Sequence, residues 1–70
     1  MERPDWFTTE MNATLLMMVM FEMDKAKRHA EQALRTKDEG EAKFLMFIAE
    51  DAGKNVAVLN EVIRNLGGVL

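Results

Sequence analysis

The feature that most constrains this chain is an uninterrupted apolar run, Leu15-Leu16-Met17-Met18-Val19-Met20-Phe21. In a helix, this run makes every side apolar over about two turns, whereas a surface helix normally buries one stripe and leaves the rest in water. A chain of 70 residues without cysteine has neither a large core nor a disulfide to compensate. The run therefore predicts that the chain completes its core with another copy of itself.

Two helices are predicted, because the alternating three- and four-residue spacing of a buried seam recurs in both halves of the chain. Helix 1 is expected over about residues 9–36, after a cap at Asp5, Thr8 or Thr9. Its seam consists of Asn12, Leu16, Val19, Met23, Ala26, Ala30 and Ala33. Helix 2 is expected over about residues 41–66. Its seam consists of Ala42, Leu45, Ala49, Ala52, Val56, Leu59, Ile63 and Leu66.

Glycines and one aspartate indicate where these helices begin and end. A loop is expected at about residues 37–40, with Gly40 at positive φ and Asp38 capping helix 2. Gly67-Gly68 is a helix-ending signal, and Val69 is placed for the apolar contact that often accompanies such an end. Gly53, among alanines in helix 2, is interpreted as a position of close helix packing.

The short loop predicts an all-α fold, a single antiparallel two-helix hairpin domain over residues 1–70. In this hairpin the helix 1 residues Leu16, Val19 and Ala30 face Ile63, Leu59 and Ala49. Two apolar patches remain uncovered, one near the open end and one near the loop. A second hairpin, related by a two-fold axis and running antiparallel, sets Met17, Met18 and Phe21 of one copy against Phe44 and Phe47 of the other. The hypothesis is a homodimeric four-helix bundle, whose self-association interface consists of Leu15, Met17, Met18, Met20, Phe21, Phe44, Phe47, Ile48, Val58 and Val62.

The methionines of helix 1 leave a second reading open. Methionine recurs on adaptable binding surfaces, so Met11 and its neighbours in the apolar run could instead accept a helix from a protein partner. Self-association is favoured because the same residues serve it equally well.

Glu22 and His29 are the candidates for a metal site, because they share one stripe of helix 1 and His29 is the single histidine. The Glu-x-x-His signature of di-iron bundles is absent, and there is no cysteine ligand. We therefore expect no metal and no cofactor. A site assembled from Glu22 and His29 of neighbouring copies is kept as an alternative.

Lys25, Arg28 and Arg35 form a candidate phosphate-contact face on helix 1. Asp24 and Glu31 interrupt it at spacings suited to intrahelical ion pairs, and the chain's formal net charge is −3. These features favour a solvated helix face. A dimeric nucleic-acid-binding regulator is the alternative.

Catalysis is not predicted, since serine, tyrosine and cysteine are absent and no nucleophile–base pair can be named. The apolar run is shorter than the roughly 20 residues that a membrane span requires, and no basic signal-peptide start precedes it. We expect a soluble, cytoplasmic, non-enzymatic protein that acts through self-association and protein–protein interaction, as an adaptor, scaffold or regulatory subunit.

Overall fold

The computed structural model describes residues 3–68, which form two α-helices joined by a short loop. Helix α1 spans Thr9–Arg35 and helix α2 spans Glu39–Asn65. They pack side by side as an elongated antiparallel hairpin of 51 × 16 × 14 Å. No strand occurs in this part of the chain. The predicted all-α hairpin is confirmed.

The N-terminal segment folds back on the start of α1. Phe7 donates its N–H to the Pro4 carbonyl at 3.0 Å and is only 3% exposed. The Arg3 guanidinium lies 5.4 Å from the centre of the Phe7 ring. The centres of the Trp6 and Phe7 rings are 6.1 Å apart, and the two rings are roughly perpendicular. Thr8 then caps the helix, its hydroxyl accepting from the Met11 N–H at 3.1 Å. Phe7 therefore supplies the core with a side chain from outside the helices.

The loop differs from the predicted one. It comprises residues 36–38, and Gly40 lies in the first turn of α2. The reversal is made by extended backbone at Thr36 and Asp38, so no glycine with positive φ is required. The Asp38 carboxylate accepts from the Glu41 N–H at 3.1 Å, which confirms the predicted cap.

Gly67 ends α2 as predicted, and it is the only residue with positive φ in the described range (φ 74°). Its N–H donates to the Arg64 carbonyl at 3.1 Å, and the Gly68 N–H donates to the Ile63 carbonyl at 2.8 Å. This pair of bonds is a Schellman motif. Val69, expected to add an apolar contact, lies outside the described residues.

The interhelical seam follows the prediction at most positions, but Met23 was assigned to it wrongly. Met23 is 56% exposed, whereas the neighbouring Glu22 is half-buried and faces Asn55 on α2. Both Glu22 and Met23 satisfy the spacing between Val19 and Ala26, so periodicity alone does not choose between them. The contact between Glu22 and Asn55 agrees with the predicted pairing of the helices.

Gly53 is not a site of close packing. It is exposed, and a Cβ atom added there would meet nothing within 4 Å. The helices approach one another through Ala49 and Ala52 instead, which are 8% and 0% exposed.

Candidate self-association surface

One long side of the hairpin presents four rows of side chains, and we call it the broad face. Residues seven apart lie on the same side of a helix, which defines the rows. The two inner rows are neighbours, because Asn55 Nδ2 lies 3.5 Å from Glu22 Oε1. The inner rows are Leu15, Glu22 and His29 on α1 and Ile48, Asn55 and Val62 on α2. The outer rows are Met11, Met18, Lys25 and Gln32 on α1 and Phe44, Asp51 and Val58 on α2.

Exposed apolar side chains are concentrated at the two ends of the broad face. At the end away from the loop, the open end, Met18 is 46% and Val58 59% exposed. Near the loop, Phe44 is 63% exposed and Ile48 is half-buried. The middle is polar and carries Glu22, Lys25, His29, Asp51 and Asn55. The face thus combines two apolar ends with a charged centre.

Two solvent-accessible grooves lie in the half of the hairpin that is further from the loop. The first, of about 440 Å³, is lined by Trp6, Phe7, Glu10, Met11, Thr14, Leu15, Val62 and Leu66. The second, of about 450 Å³, is lined by Thr14, Met17, Met18, Phe21 and Glu22. Most of these side chains are apolar, so both grooves suit an apolar occupant. Trp6 and Phe7 line the first groove because the N-terminal segment folds back on the start of α1.

The predicted interface residues fall into three groups. The broad face contains Leu15, Met18, Phe44, Ile48, Val58 and Val62. Met17, Phe21 and Phe47 lie further round, on the outer sides of the helices, and are 69%, 63% and 67% exposed. Met20 lies on the opposite side of the hairpin, since it follows the seam residue Leu16 by four positions and precedes the exposed Met23 by three. One flat contact therefore cannot cover all ten.

Glu22 is the most unusual polar residue of the face. Its Oε1 accepts from the Asn55 amide at 3.5 Å, while its Oε2 is shielded from water and has no hydrogen-bond partner among the described residues. Shielded polar atoms are nearly always paired, and an unpaired one costs about 1–3 kcal/mol. Pairing of this oxygen therefore requires a change of the Glu22 rotamer that brings it to a donor.

Glu22 and His29 do not form a metal site within one chain. Seven residues of helix separate them by about 10 Å along the axis, whereas metal ligands lie within about 2.2 Å of the ion. His29 Nδ1 is 2.7 Å from the Lys25 carbonyl oxygen, so in this contact Nδ1 is the donor. In residues 3–68 there is no group of three or more metal-binding side chains.

Two of the three candidate phosphate-contact residues form ion pairs within α1. Arg28 Nε lies 2.8 Å from the Asp24 carboxylate, and Arg35 Nη2 lies 3.5 Å from that of Glu31. These are the intrahelical pairs expected from the spacing. Lys25 is half-buried and lies on the broad face. The arrangement leaves the two arginines locally neutralised.

Neither helix of the described chain is long and apolar enough to cross a membrane. Comparisons with protein-family models, curated proteins and solved structures gave no match. The site is therefore interpreted from its own geometry.

Proposed function

We propose that this chain is a small non-enzymatic helical-bundle protein that acts through self-association and protein–protein contact. Two hairpins pack broad face to broad face and form a four-helix bundle. The observation that carries the proposal is the broad face itself, on which Met18, Phe44 and Val58 are 46%, 63% and 59% exposed. Exposed apolar patches of this kind typically mark an interaction site.

The thin core of a single hairpin supports this proposal. The buried apolar residues in the described range are Phe7, Val19, Ala33, Ala49, Ala52 and Ile63. Three of these six are alanines, and the only large side chain that is fully buried is Ile63. Burial of a Met, Val or Phe side chain contributes about 1.5–3 kcal/mol, which is large beside a domain stability of about 5 kcal/mol. A second hairpin supplies burial that one hairpin lacks.

The outer apolar residues support the adaptor part of the proposal. Met17, Phe21 and Phe47 border the broad face but point away from it, so a face-to-face dimer covers them incompletely. Methionine and aromatic side chains suit adaptable contacts with a helix of another protein. The dimer would thus carry two symmetry-related sets of these residues for a partner.

The two alternatives raised from the sequence gain less support. A metal site shared between copies would take Glu22 and His29 from each chain. These two side chains are about 10 Å apart along α1, and Asn55 and Ile48 rather than further ligands lie opposite them. A nucleic-acid regulator requires cations free to bind phosphate, whereas Arg28 and Arg35 are paired within α1. Self-association therefore remains the proposed activity.

Light scattering during size-exclusion chromatography, over a range of loading concentrations, tests the proposal. We expect the mass of two chains, falling towards one on dilution. Met18→Glu places a charge on the broad face and should give a monomer with unchanged helical circular dichroism. Met20→Glu is the matched control, since Met20 is 68% exposed on the opposite side, and it should remain dimeric. A native chain that is monomeric at every concentration would contradict the proposal.

A further inference from the structure

Two hairpins can pair through their broad faces in two orientations, and the residues of the face favour one of them. This inference rests on the dimer proposed above. In an opposite-end dimer, the arrangement expected from the sequence, each loop lies over the open end of the second copy. In a same-end dimer the two loops lie side by side. Both are two-fold symmetric four-helix bundles, and they bring different residues together.

The hydrogen bond between Glu22 and Asn55 shows which residues of α1 and α2 lie at the same distance from the loop. Glu22 is the middle residue of α1, and its contact puts Asn55 at the same height on α2. A two-fold axis across the helices places α1 against α1 of the second copy. With α1 fully overlapped along its length, residue levels are mirrored about Glu22. A two-fold axis parallel to the helices places α1 against α2 of the second copy. Residues at the same distance from the loop then face each other.

The opposite-end dimer produces mismatched pairs in the centre of the interface. Glu22 faces Glu22 of the second copy, so two carboxylates oppose each other. Met18 lies opposite Lys25 of the second copy, and Asp51 lies opposite Val58 of the second copy. Like charges and charge-to-apolar contacts of this kind are unfavourable in a partly dry interface.

In the same-end dimer, each of these residues faces a residue of complementary chemistry in the second copy. Met18 faces Val58 of the second copy, apolar against apolar. Lys25 faces Asp51 of the second copy, cation against anion. Glu22 faces Asn55 of the second copy, and an asparagine amide has two N–H donors, of which the bond within the chain uses one. A change of rotamer at Glu22 would bring Oε2 out of its shielded position to this second donor.

The geometry points to a same-end dimer, in which Lys25 pairs with Asp51 of the second copy and the Glu22 carboxylate accepts from Asn55 of the second copy. Each pair occurs twice because of the two-fold axis. Polar residues in a bundle interface are best known for selecting orientation rather than for adding stability. The orientation of the dimer is therefore assigned to four polar residues of the broad face: Glu22, Lys25, Asp51 and Asn55.

A distance between the two loops decides the orientation. The chain has no cysteine, so Lys37→Cys in the exposed loop gives one nitroxide site per copy. In the same-end dimer, adjacent helices separated by about 10 Å put the labels within about 25 Å, measured by pulsed electron paramagnetic resonance. In the opposite-end dimer, the 27 residues of α1 separate them by about 40 Å.

Light scattering on the same labelled sample separates the failure of this inference from that of the proposed function. A dimer with labels about 40 Å apart overturns the same-end arrangement and leaves self-association intact. A monomer without any distance between labels overturns both. A dimer with the short distance supports both.

Charge exchange gives a second, independent test. Lys25→Glu or Asp51→Lys alone should raise the dimer Kd about tenfold, because each breaks two ion pairs, and the two together should restore Kd to within about twofold. Exchange of the exposed intrahelical pair Glu39 and Lys43 is the control and should leave Kd unchanged. Additive weakening in the combined Lys25→Glu, Asp51→Lys variant would overturn the inference.

Discussion

Gly68, just beyond α2, packs directly against the side chain of Asn12 on α1. A Cβ atom at Gly68 would overlap with Asn12 Oδ1 and would also lie 2.8 Å from Ile63 Cγ2 and 3.2 Å from the Ile63 carbonyl oxygen. Asn12 and Ile63 are themselves 8% and 0% exposed, so neither has room to move. The Schellman end of α2 thus closes the open end of the hairpin through a glycine contact.

Gly68→Ala should therefore destabilise the hairpin by about 1–3 kcal/mol, the usual cost of overpacking a tight site. Urea denaturation followed by circular dichroism, at one fixed protein concentration, measures the change. An unchanged unfolding midpoint would show that the contact with Asn12 is not tight in solution.

Gly53→Ala is predicted to have the opposite effect. Gly53 is an exposed position within α2, where an added methyl group meets nothing within 4 Å. Replacing glycine by alanine in a helix interior is worth about 0.5–1 kcal/mol, so the free energy of unfolding should rise by that amount. The same urea titration serves, with Gly68→Ala as the paired comparison. A loss of stability would mean that Gly53 has a contact beyond the single hairpin.

Asp38→Ala should remove the N-cap of α2. The Asp38 carboxylate accepts from the Glu41 N–H at 3.1 Å, and loss of such a cap typically costs about 1 kcal/mol. Asp38→Asn keeps an acceptor in the same place and is the control, expected within a few tenths of a kcal/mol of the native chain. Thermal unfolding of both variants measures the difference, and equal losses would indicate that charge rather than capping is involved.

Joint replacement of Glu22 and Asn55 by leucine should stabilise the dimer while weakening its choice of orientation. The substitution removes a shielded carboxylate oxygen without a partner in the chain and replaces the polar centre of the broad face with apolar surface. Exchanging buried polar groups for well-packed apolar ones is often stabilising by about 1–4 kcal/mol. The Lys37→Cys label should then show a mixture of short and long distances. A single short distance would show that the remaining residues select the orientation without Glu22 and Asn55.

The sequence by itself was sufficient for the elements that depend on local chemistry. The Asp38 cap, the helix end at Gly67 and the antiparallel pairing of the helices follow from neighbouring residues and from a short loop, whereas the choice of Thr8 over Asp5 and Thr9 was left to the structure. A side-chain acceptor at a cap satisfies N–H groups of the first turn, whatever the rest of the fold does. A short connection between two helices also leaves little choice but an antiparallel pair.

Only the tertiary structure decided which residues face the seam and which remain exposed. The three–four spacing admits both Glu22 and Met23, and hydrophobicity favoured Met23, yet the packing of α2 selected Glu22 beside Asn55. The same limitation applies to Met18 and Met20, which the sequence groups together and which the structure places on opposite sides of the hairpin. An error of one residue turns a side chain by about 100° around a helix, and only the position of the neighbouring helix reveals it.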